Sequence, residues 1–127
     1  MAVEFNFTSQ ICTTREQSER LLALGLKKET ADMCWMYGEV LSCNPPELTA
    51  DIPAWSLHRL IEMMPQIIGH LELAVNDAFV GYYENRCESE TGMYWEHTEE
   101  SSNLYDNIIS TIEWLIKEGY FNKEYLV

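Results

Sequence analysis

Apolar positions along this chain change period several times, and each change marks the edge of an element. Val3, Phe5 and Phe7 alternate with Glu4 and Asn6, the two-residue period of a half-buried strand. Thr14-Arg15-Glu16-Gln17 then has the form of a capping box, in which a threonine and a glutamine exchange hydrogen bonds with each other's backbone. Leu21, Leu22 and Leu24 follow before Gly25, so a helix over residues 15–24 is expected, stopped by the glycine. Residues 27–32 are polar and suit one further turn capped by Thr30. Residues 33–41 are aromatic-rich and suit a strand. Residues 42–51, with Asn44-Pro45-Pro46, have the composition of a surface loop.

The centre of the chain, residues 52–65, reads as a short helix with both ends specified. Ser56 is the N-cap, able to accept from a free N–H of the first turn. Trp55 precedes the cap and Leu60 stands at the fourth helical position, the pairing of a hydrophobic staple. Leu57, Leu60, Ile61 and Met64 make one apolar stripe. Pro65 disfavours helical geometry at Met64 and ends the helix there.

After it, Leu71, Leu73 and Val75 alternate with Glu72 and Ala74, and Asn76-Asp77 separates them from residues 78–83. This is a hairpin signal with Asn76-Asp77 as the turn. Residues 84–92 form an acidic connection. In the last strand, Met93, Trp95 and His97 are expected on one face and Tyr94, Glu96 and Thr98 on the other. Asn103 or Ser102 caps a final helix carrying Leu104, Ile108, Ile112, Leu115 and Ile116, and Gly119 ends it. The tail keeps Phe121, Tyr125 and Leu126, so it is expected to dock on the body. Strands bracketed by helices predict an α+β fold, an antiparallel sheet of about four strands packed with three helices, as a single domain over residues 1–127.

Composition narrows the function classes. A 127-residue chain with 46% hydrophobic residues can bury a core without metal or disulfide staples. Its net charge of −13 opposes binding to nucleic-acid phosphates or anionic membranes, which select Lys and Arg clusters. Residues 1–63 hold nine acids and five bases, residues 64–127 twelve and three. No apolar run approaches the roughly 18 residues of a membrane span, and no secretory signal is visible, so a cytoplasmic location is expected. Cys12, Cys34, Cys43 and Cys87 lack the close pairing of zinc ligands, and reduced thiols are the expectation.

Four stretches carry a resemblance: Arg15-Glu-Gln-Ser-Glu-Arg-Leu-Leu-Ala-Leu-Gly25, Glu29-Thr-Ala-Asp-Met33, Ile52-Pro-Ala-Trp-Ser-Leu57 and Ile112-Glu-Trp-Leu-Ile-Lys-Glu-Gly-Tyr120. Together they resemble short uncharacterised proteins carried by phages and mobile elements of gut anaerobic bacteria. The later part is similar in layout to phage ABA-sandwich domains. These are packing motifs from a family without an established activity, so the resemblance implies origin and size and carries no catalytic residue across. The sequence departs from it in the middle loop, residues 42–51, and in the acidic stretch 84–100.

Candidate chemistry is sparse. Glu96-His97-Thr98-Glu99-Glu100 is the nearest approach to a metal or acid–base cluster, but neighbours on a strand point to opposite faces. His58 and His70 could join it only through tertiary contact. Ser56 lacks a nucleophile-elbow context, Gly69, Gly81 and Gly92 are too dispersed for a phosphate loop, and Cys34 sits among core-type residues. Trp35, Tyr37, Tyr82, Tyr83, Tyr94 and Trp95 could stack bases, yet such platforms lie in basic grooves.

The acidic run Glu84, Glu88, Glu90, Glu96, Glu99 and Glu100, opposed only by Arg86, is the candidate partner surface. The leading expectation is a non-enzymatic protein-binding or accessory domain of a phage or mobile element, without cofactor, acting through an acidic and aromatic surface on a basic partner. The alternatives are a small metal-dependent or acid–base hydrolase using His97 and nearby carboxylates, an acidic nucleic-acid mimic inhibiting a host enzyme, and a structural homodimer through the C-terminal tail.

Overall fold

The computed structural model describes residues 9–36, 39–42, 52–85 and 93–127. The expected strand at residues 3–7, Tyr37, most of the loop 42–51, Cys43, Arg86, Cys87, Glu88, Glu90 and Gly92 lie outside them. Among the described residues, three α-helices and two antiparallel sheets make an α+β arrangement with a four-stranded sheet. The helices are α1 (Arg15–Ala23), α2 (Leu57–Met63) and α3 (Leu104–Glu118). Strands β1 (Met33–Met36), β2 (Glu39–Ser42) and β3 (Ile52–Ala54) form one sheet in the order β2-β1-β3. Strands β4 (Ile67–Ile68), β5 (Leu71–Val75), β6 (Phe79–Asn85) and β7 (Met93–Glu100) form the other in chain order.

Helix ends follow the sequence closely. Thr14 and Gln17 close the capping box of α1, and Ser56 Oγ accepts from the Arg59 N–H to cap α2. Met64 is extended, at ψ 139°, because the ring of Pro65 excludes the helical alternative. Asn103 caps α3 through the Asp106 N–H. Gly25 and Gly119 take φ of 103° and 80°, and both helices end in the paired hydrogen bonds of a Schellman motif, Leu26 N–H to Leu21 O and Tyr120 N–H to Leu115 O among them. Only glycine enters that left-handed geometry without steric cost.

Three expectations are corrected. The single strand over 33–41 is two strands, β1 and β2, paired from Met33↔Ser42 to Met36↔Glu39. Ile52–Ala54, read as the approach to the helix, is itself strand β3, an edge strand, where a proline such as Pro53 is tolerated. The hairpin loop is Asp77-Ala78 rather than Asn76-Asp77, since Val75 pairs with Val80. Asn76 serves that loop through its side chain, its Oδ1 accepting from Ala78 and Phe79 N–H. Further, β6 runs on through Glu84 and Asn85, and the turn residues 28–30 end on Thr30, whose hydroxyl donates back to the Lys27 carbonyl.

The core lies among α1, α2, α3 and one face of the four-stranded sheet. It holds Leu21, Leu26, Trp55, Leu60, Tyr82, Ile108, Ile109, Ile112 and Leu115. Trp55 and Leu60 are both fully buried, as a staple requires. The tail docks: Phe121 is buried, Leu126 bridges Leu26, and Val127 N–H donates to Gly25 O.

Candidate functional site

Alternation along β6 sorts the four-stranded sheet into two faces. Val80 and Tyr82 point into the core against α3, with Tyr82 OH donating to Pro65 O. Phe79, Gly81 and Tyr83 therefore point to the opposite, outer face. Across the β5–β6 hairpin, Glu72 pairs with Tyr83 and Ala74 with Gly81. Both are thus outward, as is Ile67, paired with Glu72 and 65% exposed.

Strand β7 does not alternate as its sequence suggests. His97 pairs with Tyr82, but the next residue of β6, Tyr83, pairs with Trp95. Glu96 is the extra residue of a β-bulge, and a bulge shifts every side chain beyond it to the other face. The expectation that Trp95 and His97 share a face is therefore corrected. His97 joins Tyr82 on the core side and stacks on Trp114, with centroids 4.4 Å apart and planes 14° apart. Trp95 joins Phe79 and Tyr83 on the outer face, 5.3 Å from each ring centroid, edge-on to Phe79 at 84° and tilted to Tyr83 at 48°.

Gly81 makes room for this arrangement. A methyl group there would collide with the His97 carbonyl oxygen and stand 3.2 Å from the Trp95 ring. The indole thus covers the bare backbone of a glycine in mid-strand. The three rings are half-buried and absent from the principal core cluster, which includes Tyr82 and has Trp114 packed against it.

Carboxylates border the rings. Tyr83 OH donates to Glu72 Oε2 at 2.9 Å, and this bond, with the carboxylate's charge, holds the phenol above its ordinary pKa. Glu100 pairs with Phe79 and shares its face. Glu96 is exposed at the bulge. The other two described members of the acidic run lie on the core-facing side: Glu99 pairs with Val80 and Glu84 with Tyr94. Strands β4 to β7 contain no Lys or Arg at any position.

The histidines are dispersed. His58, with a 90% exposed side chain, lies 3.9 Å from Glu62 on α2, and His70 is in the exposed loop between β4 and β5. His97 Nε2 is buried 3.1 Å from Glu99 Oε1 without the alignment of a hydrogen bond. Among the described residues, no group of three or more His, Cys, Asp or Glu could hold a metal ion, and no helix is long and apolar enough to cross a membrane. Cys12 and Cys34 are both buried. Burial foremost, and then the charge of Asp32, pushes the Cys12 thiol upward, away from the reactive thiolate. Ser56 is a cap, with its N–H and hydroxyl both directed at the Asp32 carboxylate.

Sequence reasoning grouped the aromatic residues without separating the faces. Gly81 was the available signal of the close approach, because a glycine inside a strand lets a ring or a neighbouring backbone come near. Comparison with protein-family models, curated proteins and solved structures yields no match.

Proposed function

We propose that this chain is a non-enzymatic protein-binding or accessory domain, and that its contact surface is the outer face of the four-stranded sheet. The observation that carries this reading is the trio Phe79, Tyr83 and Trp95 on the face turned away from the core, Trp95 brought there by the bulge, bordered by Glu72 and Glu100. Partly buried Trp and Tyr at the centre of a patch are the residues that most often dominate binding energy. A carboxylate rim selects a basic partner and speeds encounter with it. The resemblance to phage and mobile-element proteins accords with an accessory role.

Two competing readings draw less support. The described acids divide between both faces of the sheet, unlike the single strip of charge that would imitate a nucleic-acid backbone. The imidazole of His97 is engaged with Trp114 on the core side, which suits packing better than hydrolysis.

Affinity capture from bacterial lysate tests the proposal. A protein retained by the parental chain at low salt should be released at high salt and should not be retained by Trp95→Ala. Equal retention by a folded Trp95→Ala variant contradicts it.

A further inference from the structure

The outer face offers three things together. Two aromatic rings, Tyr83 and Trp95, meet at an open angle of 48° with centroids 5.3 Å apart. A carboxylate, Glu72, is fixed beside them because one of its oxygens already accepts the Tyr83 hydroxyl. The four strands supply no Lys or Arg to pair with that carboxylate. Ring faces carry negative potential and attract cations, and indole does so best.

We infer that this face receives an arginine side chain of the partner, its guanidinium stacked on Tyr83 and Trp95 and paired with Glu72. The inference rests on the protein-binding reading and names what that surface recognises. Arginine fits better than lysine for a physical reason. A planar, weakly hydrated guanidinium can lie on a ring and still direct N–H groups in its own plane to a carboxylate, whereas an ammonium is a strongly hydrated point charge. Glu100, on the same face, extends the complementarity along the strand. A second copy of this chain, at net charge −13, would bring like charge to the patch.

The probe is a short soluble peptide alternating arginine with leucine, compared with its lysine and citrulline counterparts on the 127-residue chain. Binding is followed by the nuclear magnetic resonance signal of the Trp95 indole N–H, assigned with Trp95→Phe. The arginine peptide should move that signal and bind at least about tenfold more tightly than the citrulline peptide, which keeps the shape and loses the charge. It should also bind more tightly than the lysine peptide of equal charge. Glu72→Gln, which preserves volume, should weaken it about fivefold or more, while Glu118→Gln at the exposed end of α3 leaves it unchanged.

Equal affinity for the arginine and citrulline peptides, or equal loss in Glu72→Gln and Glu118→Gln, overturns the inference. If Trp95→Ala still fails to retain the captured protein, the protein-binding reading survives that result; retention by Trp95→Ala overturns both. A dimer seen by sedimentation and abolished by Trp95→Ala would assign the face to a second copy, and overturns the inference as well.

Discussion

At the scale of single residues, Trp55 ties the start of α2 to two earlier segments of the chain. It is fully buried, its indole donates to Thr30 Oγ, and its backbone exchanges hydrogen bonds with Thr13. Trp55→Ala should therefore cost about 3–5 kcal/mol, read as a lowered denaturant midpoint; an unchanged midpoint would show that α2 does not dock through it. The staple of Trp55 and Leu60 and the Ser56 cap were legible in the sequence because they depend on spacing within a few residues. Asp32, Thr13 and Thr30 were not, since each meets residues 55–56 only after the chain has folded back.

Buried acids set the response to alkali. Burial holds the Tyr82 phenol far above its ordinary value, and burial foremost also raises Cys12 and Tyr105. The unfolded chain releases these protons at ordinary values, from about pH 8.5 for a thiol and about 10 for a phenol. Above those values the unfolded state binds fewer protons than the native state, so stability is whole below them and falls as pH rises toward the folded values. The urea midpoint should drop between about pH 8 and about pH 10.5, and Tyr82→Phe should make that drop shallower. A midpoint independent of pH across this window would contradict the burial of these groups.

At the scale of elements, short-range signals located most boundaries, and pairing registers were the hidden part. One capping box, two further N-caps, a proline and two helix-ending glycines lie in local sequence and marked α1, α2 and α3 within a residue or so. The hairpin of β5 and β6 was visible, but its loop slipped by one residue because Asn76 still pairs with Phe79, its backbone N–H donating to the Phe79 carbonyl while its side chain accepts from the loop. The bulge at Glu96 was invisible, because the strict alternation from Met93 to Thr98 reads equally well without it. Two residues of β7 opposite one of β6 is a property of the pair, and neither strand alone encodes it. Gly81→Ala tests this arrangement. A methyl group there meets backbone, which cannot swing aside, so overpacking should cost about 1–3 kcal/mol or more. Thermal unfolding at the parental temperature would contradict the close approach of β7 and Trp95 to Gly81.

At the scale of the molecule, the fold class was readable and the surface was not. Helices bracketing strands pointed to the α+β arrangement. The second, three-stranded sheet went unseen because β1 and β2 occupy one continuous aromatic-rich stretch. The acidic run looked uniform in sequence, yet the sheet divides it, placing Glu100 with Phe79 and Glu99 with Val80. Charge alone thus does not define the patch; its position relative to Trp95 and Tyr83 does.

On the function proposed here, a basic protein docks on the outer face of the four-stranded sheet. The most direct test is the association rate of the captured protein, measured across ionic strength for the parental chain and for Glu72→Gln/Glu100→Gln. Exposed charges are screened over about 8 Å at physiological salt, so the parental rate should fall as salt rises. The double variant should already associate slowly at low salt, with dissociation little changed, and Glu99→Gln on the opposite face should have the smaller effect. Association of Glu72→Gln/Glu100→Gln at the parental rate in low salt would contradict the account.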